Sequence, residues 1–330
     1  MTETATAGPT SPAATRRPGG RSWAGFARRY GAAALLVLLL AYNALFTRNF
    51  LSWQTLMDVQ LRQAAPVAIV ALGMALVIAT GGIDLSVGSV MAIAGQVGAL
   101  TVLGGLPPAL AVLLALAVAA ACGVFNGTLV VRYGVQPIIA TLILFISGRG
   151  IALVLTNGNL QTFSNPAFSY LGTGRILGLP FQGWLALGIA LVVWWAIART
   201  AFGRYLLAIG GNERAARLAG APVRRIKIGA YVICSVLAGL AGLIVVAINS
   251  ASDAARNGNL MELDAIAAAV VGGALLQGGR APIFGVLLGA VIIQLVRYTL
   301  LANGIEDEVA LIVKAAIIVL AVWLQQWRRA

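Results

Sequence analysis

What most constrains this chain is repetition: stretches of about 20 mostly apolar residues recur along nearly its whole length, separated by short polar breaks. Ten such stretches are read, at 31–46, 62–80, 87–104, 108–131, 137–156, 182–199, 228–249, 262–277, 282–301 and 309–325. Each is about long enough to cross the hydrocarbon core of a bilayer as a helix. Hydrophobic residues make up 60% of the chain and charged residues 10%, against roughly 45–50% and 25% in soluble domains. The mean hydropathy is +0.92. No water-soluble fold hides that much apolar surface. The expected fold class is therefore all-α: a polytopic integral membrane protein of about ten transmembrane helices, some broken or re-entrant. The 39 glycines suit close helix packing in lipid.

The inventory excludes several chemistries. The chain has no histidine, so histidine general bases, triads and metal sites are absent. Cys122 and Cys234 both lie in apolar runs and read as small buried hydrophobes. The two lysines, Lys227 and Lys314, do not follow a glycine, so there is no GxxxxGK[ST] phosphate loop. The net charge of +13 reads as the positive-inside bias of a membrane protein and not as a nucleic-acid surface.

The basic residues also orient the spans. With the N-terminus inside, sixteen fall in inside segments, among them Arg132, Arg199, Arg204, Arg224 and Arg225. Four fall outside: Arg48, Arg62, Arg175 and Arg256. Both termini are expected in the cytoplasm. Residues 1–22 read as a disordered cytoplasmic tail and 23–330 as a single transmembrane domain. The outside loop 157–181 is long enough for a short re-entrant or surface element. Two glycine-led stretches, Gly81-Gly82-Ile83-Asp84-Leu85 and Gly272-Gly273-Ala274-Leu275-Leu276, share a GGxxL pattern. That echo reads either as coincidence in a Gly- and Leu-rich chain or as an internal repeat.

Three stretches carry the candidate chemistry. In the first, Gly81 and Gly82 interrupt helix formation ahead of Asp84 and Ser86. Asp84 is either the N-cap of the next span or part of a helix break lining a solute pathway. The second is the inside loop 200–227, where Asn212 reads as an N-cap, Glu213 and Arg217 as an i,i+4 pair, and Gly220 with Pro222 as a stop. This spells a two-turn helix with small Ala215, Ala216 and Ala219 and charged Arg214. It is either a solvated connector or a docking element. In the third, Glu262 and Asp264 open the eighth span at its outer end, complementing the helix dipole or meeting a polar solute. Gln96, Asn126, Arg149, Asn249, Gln294 and Lys314 lie within spans and must pair or face a cavity.

Taken in order, RQAAPVAIVALGMALVIATGGIDLSVGSVMAIAG at 62–95, TLILFISGRG at 141–150, QTFSNP at 161–166, GNERAARLAGAP at 211–222, and ELDAIAAAVVGG at 262–273 followed by GGR resemble the permeases of ribose/xylose/galactose-type ABC importers, the galactofuranose branch especially. The resemblance runs from about residue 30 onward. It implies a multi-pass inner-membrane permease subunit that moves a monosaccharide into the cytoplasm and has no catalytic residue of its own. It implies a cytoplasmic ABC ATPase partner, which holds the ATP and magnesium, a second permease subunit and an extracytoplasmic sugar-binding protein. The family's coupling helix maps onto Asn212 to Gly220, although the general EAA-loop consensus of importers is matched only loosely. The substrate pathway is expected at Gly81, Gly82, Asp84, Ser86, Gln96, Asn126, Arg149, Glu262 and Asp264. An ion-coupled secondary transporter, with Asp84 or Glu262 as its protonatable group, is the alternative. A membrane-embedded transferase or hydrolase is disfavoured by the absent histidines and the scatter of ten acids.

Overall fold

The computed structural model describes residues 23–305, 309, 311–313, 315–317 and 319. The tail expected over 1–22, most of the expected span 309–325, and Lys314 lie outside the described residues. From Ala32 onward the chain forms one compact unit.

The apolar runs become helices, as lipid requires, because each backbone N–H and C=O must be satisfied within its own segment. In order they are α1 (Trp23–Phe46), α2 (Arg62–Ala79), α3 (Val87–Leu103), α4 (Pro108–Arg132), α5 (Pro137–Val154), α6 (Pro166–Thr173), α7 (Phe181–Arg199), α8 (Ala201–Gly211), α9 (Glu213–Leu218), α10 (Val223–Asn249), α11 (Met261–Val271) and α12 (Ile283–Ala302). Among the described residues, six helices are long and apolar enough to cross a membrane, and two shorter apolar ones accompany them, Gly31–Phe46 and Val87–Leu103. A π-helical stretch, Thr55–Leu61, leads into α2. It precedes Pro66, which cannot donate to the carbonyl one turn back.

α2 is the hub. From Ala64 to Ala79 every residue is buried, as expected of a helix apolar on all sides. It packs against α7, α10, α11 and α12. α4 and α10 run antiparallel with backbones nearly touching: a Cβ on Gly123 would meet Val232, and one on Gly127 would meet Ile228. The C-terminal end of α4 thus lies beside the start of α10, and Arg132, Arg224, Arg225 and Lys227 gather at one end of the bundle. We call it the basic end.

The long loop after α5 holds the expected surface element. β1 (Gln161–Thr162) pairs antiparallel with β4 (Ala251–Ser252), and β2 (Arg175–Ile176) with β3 (Leu179–Pro180). Between them, α6 is capped by Asn165, whose Oδ1 accepts from the Phe168 N–H at 3.1 Å. Two arginines of this face, Arg62 and Arg175, both bind Asp58, at 3.0 and 2.5 Å.

The eighth expected span, 262–277, is corrected. α11 stops at Val271 and is 11 residues long, about 16 Å, or half a bilayer core. The reason is local: Gly273 at φ +94° ends the helix in a Schellman cap, with Ala274 N–H on the Ala269 carbonyl. Gly81 at φ +80° ends α2 in the same way, with Gly82 N–H on the Val77 carbonyl. The cap glycine is the first of the pair at 81–82 and the second at 272–273. The GGxxL echo therefore does not superpose the two caps residue for residue.

Candidate functional site at the helix breaks

After the α2 cap the chain runs non-helically through Gly82–Asp84 before α3 begins at Val87. Asp84 is fully buried there. Its Oδ1 accepts from the Ser86 N–H at 2.9 Å and the Ser86 hydroxyl at 2.6 Å. Asn126 of α4 donates its amide to Ser86 Oγ at 2.8 Å, and Thr141 Oγ1 of α5 accepts from the Leu85 N–H at 3.1 Å. The arrangement is an Asx turn feeding α3, pinned from two neighbouring helices. Asn126 lies six residues from the C-terminal end of α4, so the break sits about 9 Å into the bundle from the basic end. Oδ2 of Asp84, Oδ1 of Asn126 and the Tyr231 hydroxyl are buried with no hydrogen-bond partner among the described residues. A fold rarely leaves such atoms unmet without use for them.

A second break faces the first. The segment after α10 does not stay at the far end of the bundle; it folds back inward. Arg149 of α5 donates through one guanidinium nitrogen to the carbonyls of Ala254 and Asn257, both at 2.7 Å. The Asn257 amide donates to the Met91 carbonyl at 3.0 Å. These bonds draw Gly258 against Gly88, where a Cβ on either residue would overlap the other's backbone. α11 starts three residues later. Glu262 and Asp264 therefore do not open a span at its outer end, as the sequence suggested. Glu262 is buried beside the first turn of α3, 2.7 Å from where a Gly88 Cβ would lie. Its Oε2 has no hydrogen-bond partner among the described residues. Asp264, half-buried, is two residues on and faces away from Glu262 around the helix.

The structure thus joins Asp84, Ser86 and Asn126, sets Gly81 and Gly82 at the cap above them, and brings Glu262 to α3. Arg149 is a clamp on a re-entrant segment, bonding carbonyls and no carboxylate. Gln96 is buried on α3 with both amide atoms unpartnered. Gln294 bonds Gln63 at 3.2 Å, and Asn249 is exposed at its helix end. Cys234 is buried and Cys122 half-buried; both are free. Thr141, Tyr231 and Asn257 escaped the sequence reading. Threonine and tyrosine in apolar runs look ordinary, and Asn257 lies in a stretch that reads as a loop.

The loop 200–227 resolves into α8, α9 and the first turn of α10. Asn212 caps α9 as expected, its Oδ1 accepting from the Ala215 N–H at 3.0 Å. Gly220 at φ +80° closes it, with Ala221 N–H on the Ala216 carbonyl. Glu213 accepts from Arg217 at 2.8 Å and from Lys227 at 2.6 Å. The hydrogen bond from the Lys227 ammonium, seconded by Arg217, holds the Glu213 carboxyl below the usual carboxylate range. Ala216 faces its own chain and is buried, which differs from the expectation that Ala215, Ala216 and Ala219 share an outward face. The outward face carries Arg214, Ala215, Arg217 and Ala219, with Leu218 at 90% exposure.

A family model described as the permease component of branched-chain amino acid transport systems matches residues 56–322, from the π-helical lead-in of α2 past the end of α12. The chain belongs to that family. Among curated relatives, the galactofuranose transporter permease protein YtfT of Escherichia coli strain K12 is 40% identical over 304 residues, covering 89% of this chain and 88% of the relative. The ribose import permease protein RbsC of the same strain is 43% identical over 294 residues, covering 88% and 90%. The fructose import permease protein FruF of Bifidobacterium longum is 38% identical over 285 residues, covering 82% and 80%. No solved structure matches the chain. The likeness to sugar-importer permeases read from the motifs is thus the likeness found, and it spans both helix breaks and α9.

Proposed function

We propose that this chain is the membrane-spanning subunit of an ABC importer that brings a monosaccharide into the cytoplasm across the inner membrane. The observation that carries the reading is identity of 38–43% with sugar import permeases across four-fifths or more of both chains. The basic end is then cytoplasmic, by the positive-inside rule. A second permease chain, alike or paralogous, completes the pore, and an extracytoplasmic binding protein delivers the sugar. The chain takes no cofactor itself; a partner ATPase holds ATP and magnesium, since no phosphate loop is present.

The two facing breaks support this reading. Helices interrupted inside the bundle leave polar groups where a solute passes, as in many transporters. Asp84, Asn126 and Glu262 each bring an unmet buried oxygen to that depth. α9 serves as the ATPase contact, through Arg214, Ala215, Arg217 and Leu218.

The test is uptake into proteoliposomes holding this chain with the ATPase and binding protein encoded beside it. Labelled ribose, galactose and galactofuranose should be offered in turn. Uptake of one of them should require internal ATP and survive an ionophore. Leu218→Asp should abolish co-purification of the ATPase. Uptake by this chain alone that collapses with the ionophore would establish an ion-coupled transporter instead.

A further inference from the structure

Between α7 and α10, with Leu76 of α2 as its floor, runs a cleft of about 580 Å³. Its walls are apolar throughout: Leu185, Ile189 and Ala196 on one side, Ile233 and Leu237 on the other. It follows α7 from Phe181 to Ala196, about 22 Å. The cleft is a long apolar groove whose length and lining suit a hydrocarbon chain. On the α7 wall it is open at Gly188, where a Cβ would meet nothing within 4 Å.

Both walls end in a cation. On α7 the lining stripe Leu185, Ile189, Ala196 continues at helical spacing to Arg199, the last residue of the helix. On α10, Arg225 lies one turn before Gly229, beyond the lining residues Leu237 and Ile233. The Phe202 ring, which also lines the cleft, rests 3.4 Å from the position of a Gly229 Cβ, so the cleft reaches this turn. Arg199 and Arg225 are exposed, and neither makes an ion pair among the described residues.

We propose that this cleft is a site for an anionic phospholipid, with one acyl chain between α7 and α10 and the phosphate held by Arg199 and Arg225. An apolar groove leading to two arginines that make no ion pair among the described residues, where the helices leave the membrane, has the charge and apolar length of such a lipid. Basic sites between membrane helices hold anionic headgroups in this way. A cleft longer than the ~15 Å hydrocarbon depth of one leaflet accepts the whole chain, and Gly188, about 16 Å along α7 from Arg199, lies beside that chain's end.

The experiment is native mass spectrometry of the full-length chain in mild detergent, offered equimolar phosphatidylglycerol and phosphatidylcholine with the same acyl chains. The unaltered chain should retain phosphatidylglycerol in preference by roughly thirty-fold, the value two surface arginines give. The Arg199→Gln, Arg225→Gln double variant should bring the two lipids near parity. Gly188→Trp, which adds bulk on the open α7 wall, should lower retention of both at least five-fold. Parity in the unaltered chain, an undiminished preference in the double variant, or unchanged retention in Gly188→Trp overturns the proposal. So does an intermolecular disulfide at Gly188→Cys in native membranes, which would assign the cleft to a second copy.

Discussion

The backbone N–H of Gly279 donates to the carbonyl of Ala79 at 2.9 Å, joining the end of α2 to the loop between α11 and α12. Gly210, in the last turn of α8, is seated on that bond: any Cβ there would overlap both the Ala79 oxygen and the Gly279 nitrogen. The end of α8, beside α9, therefore meets the ends of both interrupted elements through main-chain contacts, next to the buried side chains of Leu206 and Ile209.

Gly210→Ala should cut uptake at least ten-fold while the chain still reaches the membrane, because the methyl group forces the junction apart. The control is its neighbour Gly211→Ala, which meets nothing within 4 Å and should transport within two-fold of the unaltered chain. Uptake by the two variants, normalised to membrane-inserted protein, is the measurement.

The Asp84 turn separates a fold role from a transport role. Ser86→Ala removes the oxygen that bridges Asp84 and Asn126 and leaves the Asn126 amide short of its best acceptor; the expected cost is about 1–3 kcal/mol of stability. Asp84→Asn retains an Oδ1 for both Ser86 donors, so thermal stability should change little. Uptake should nonetheless fall at least ten-fold, since the carboxylate oxygen that faces no partner becomes an amide. Full transport by the Asn variant would make Asp84 a cap and nothing more.

Arg149→Met should release the re-entrant segment 254–258. Two hydrogen bonds to a guanidinium are lost, and two carbonyls inside the bundle go unmet, at about 1.5–3 kcal/mol each. The expected signs are a lowered unfolding midpoint and faster maleimide labelling of Ala254→Cys, a position buried in the folded chain. Arg149→Lys, which keeps the charge but reaches with one point donor, should restore part of both.

Glu213 gives a pH dependence with a definite sign. Its folded pKa lies below its ordinary value of 4.5. The stabilisation it lends α9 is thus fully present above pH 4.5 and fades as pH falls through the depressed folded value. The unfolding midpoint should be flat with pH down to about 5 and fall only in more acid solution. Glu213→Gln should lower the midpoint above about pH 5 and make little difference in more acid solution. The effect should be small, because the pairs with Arg217 and Lys227 are partly solvated.

Hydropathy alone determined that this chain is a helical membrane protein, since lipid permits few other ways to satisfy a backbone. Local chemistry determined the caps: Asn212 and Gly220 bound α9 as read, because a cap depends on residues within one turn. Motif order determined the family. What local sequence does not encode is depth. Glu262 and Asp264 read as the outer start of a span, and only tertiary bonds from Arg149 and Asn257 draw that start inward to Gly88. In the same way, Ala216 looked like its neighbours Ala215 and Ala219 until packing turned it toward its own chain. The meeting of Gly210, Ala79 and Gly279 was equally hidden. Three residues far apart in sequence come within hydrogen-bonding distance only when the helices have packed, and a glycine selected for lack of a side chain leaves no pattern that periodicity detects.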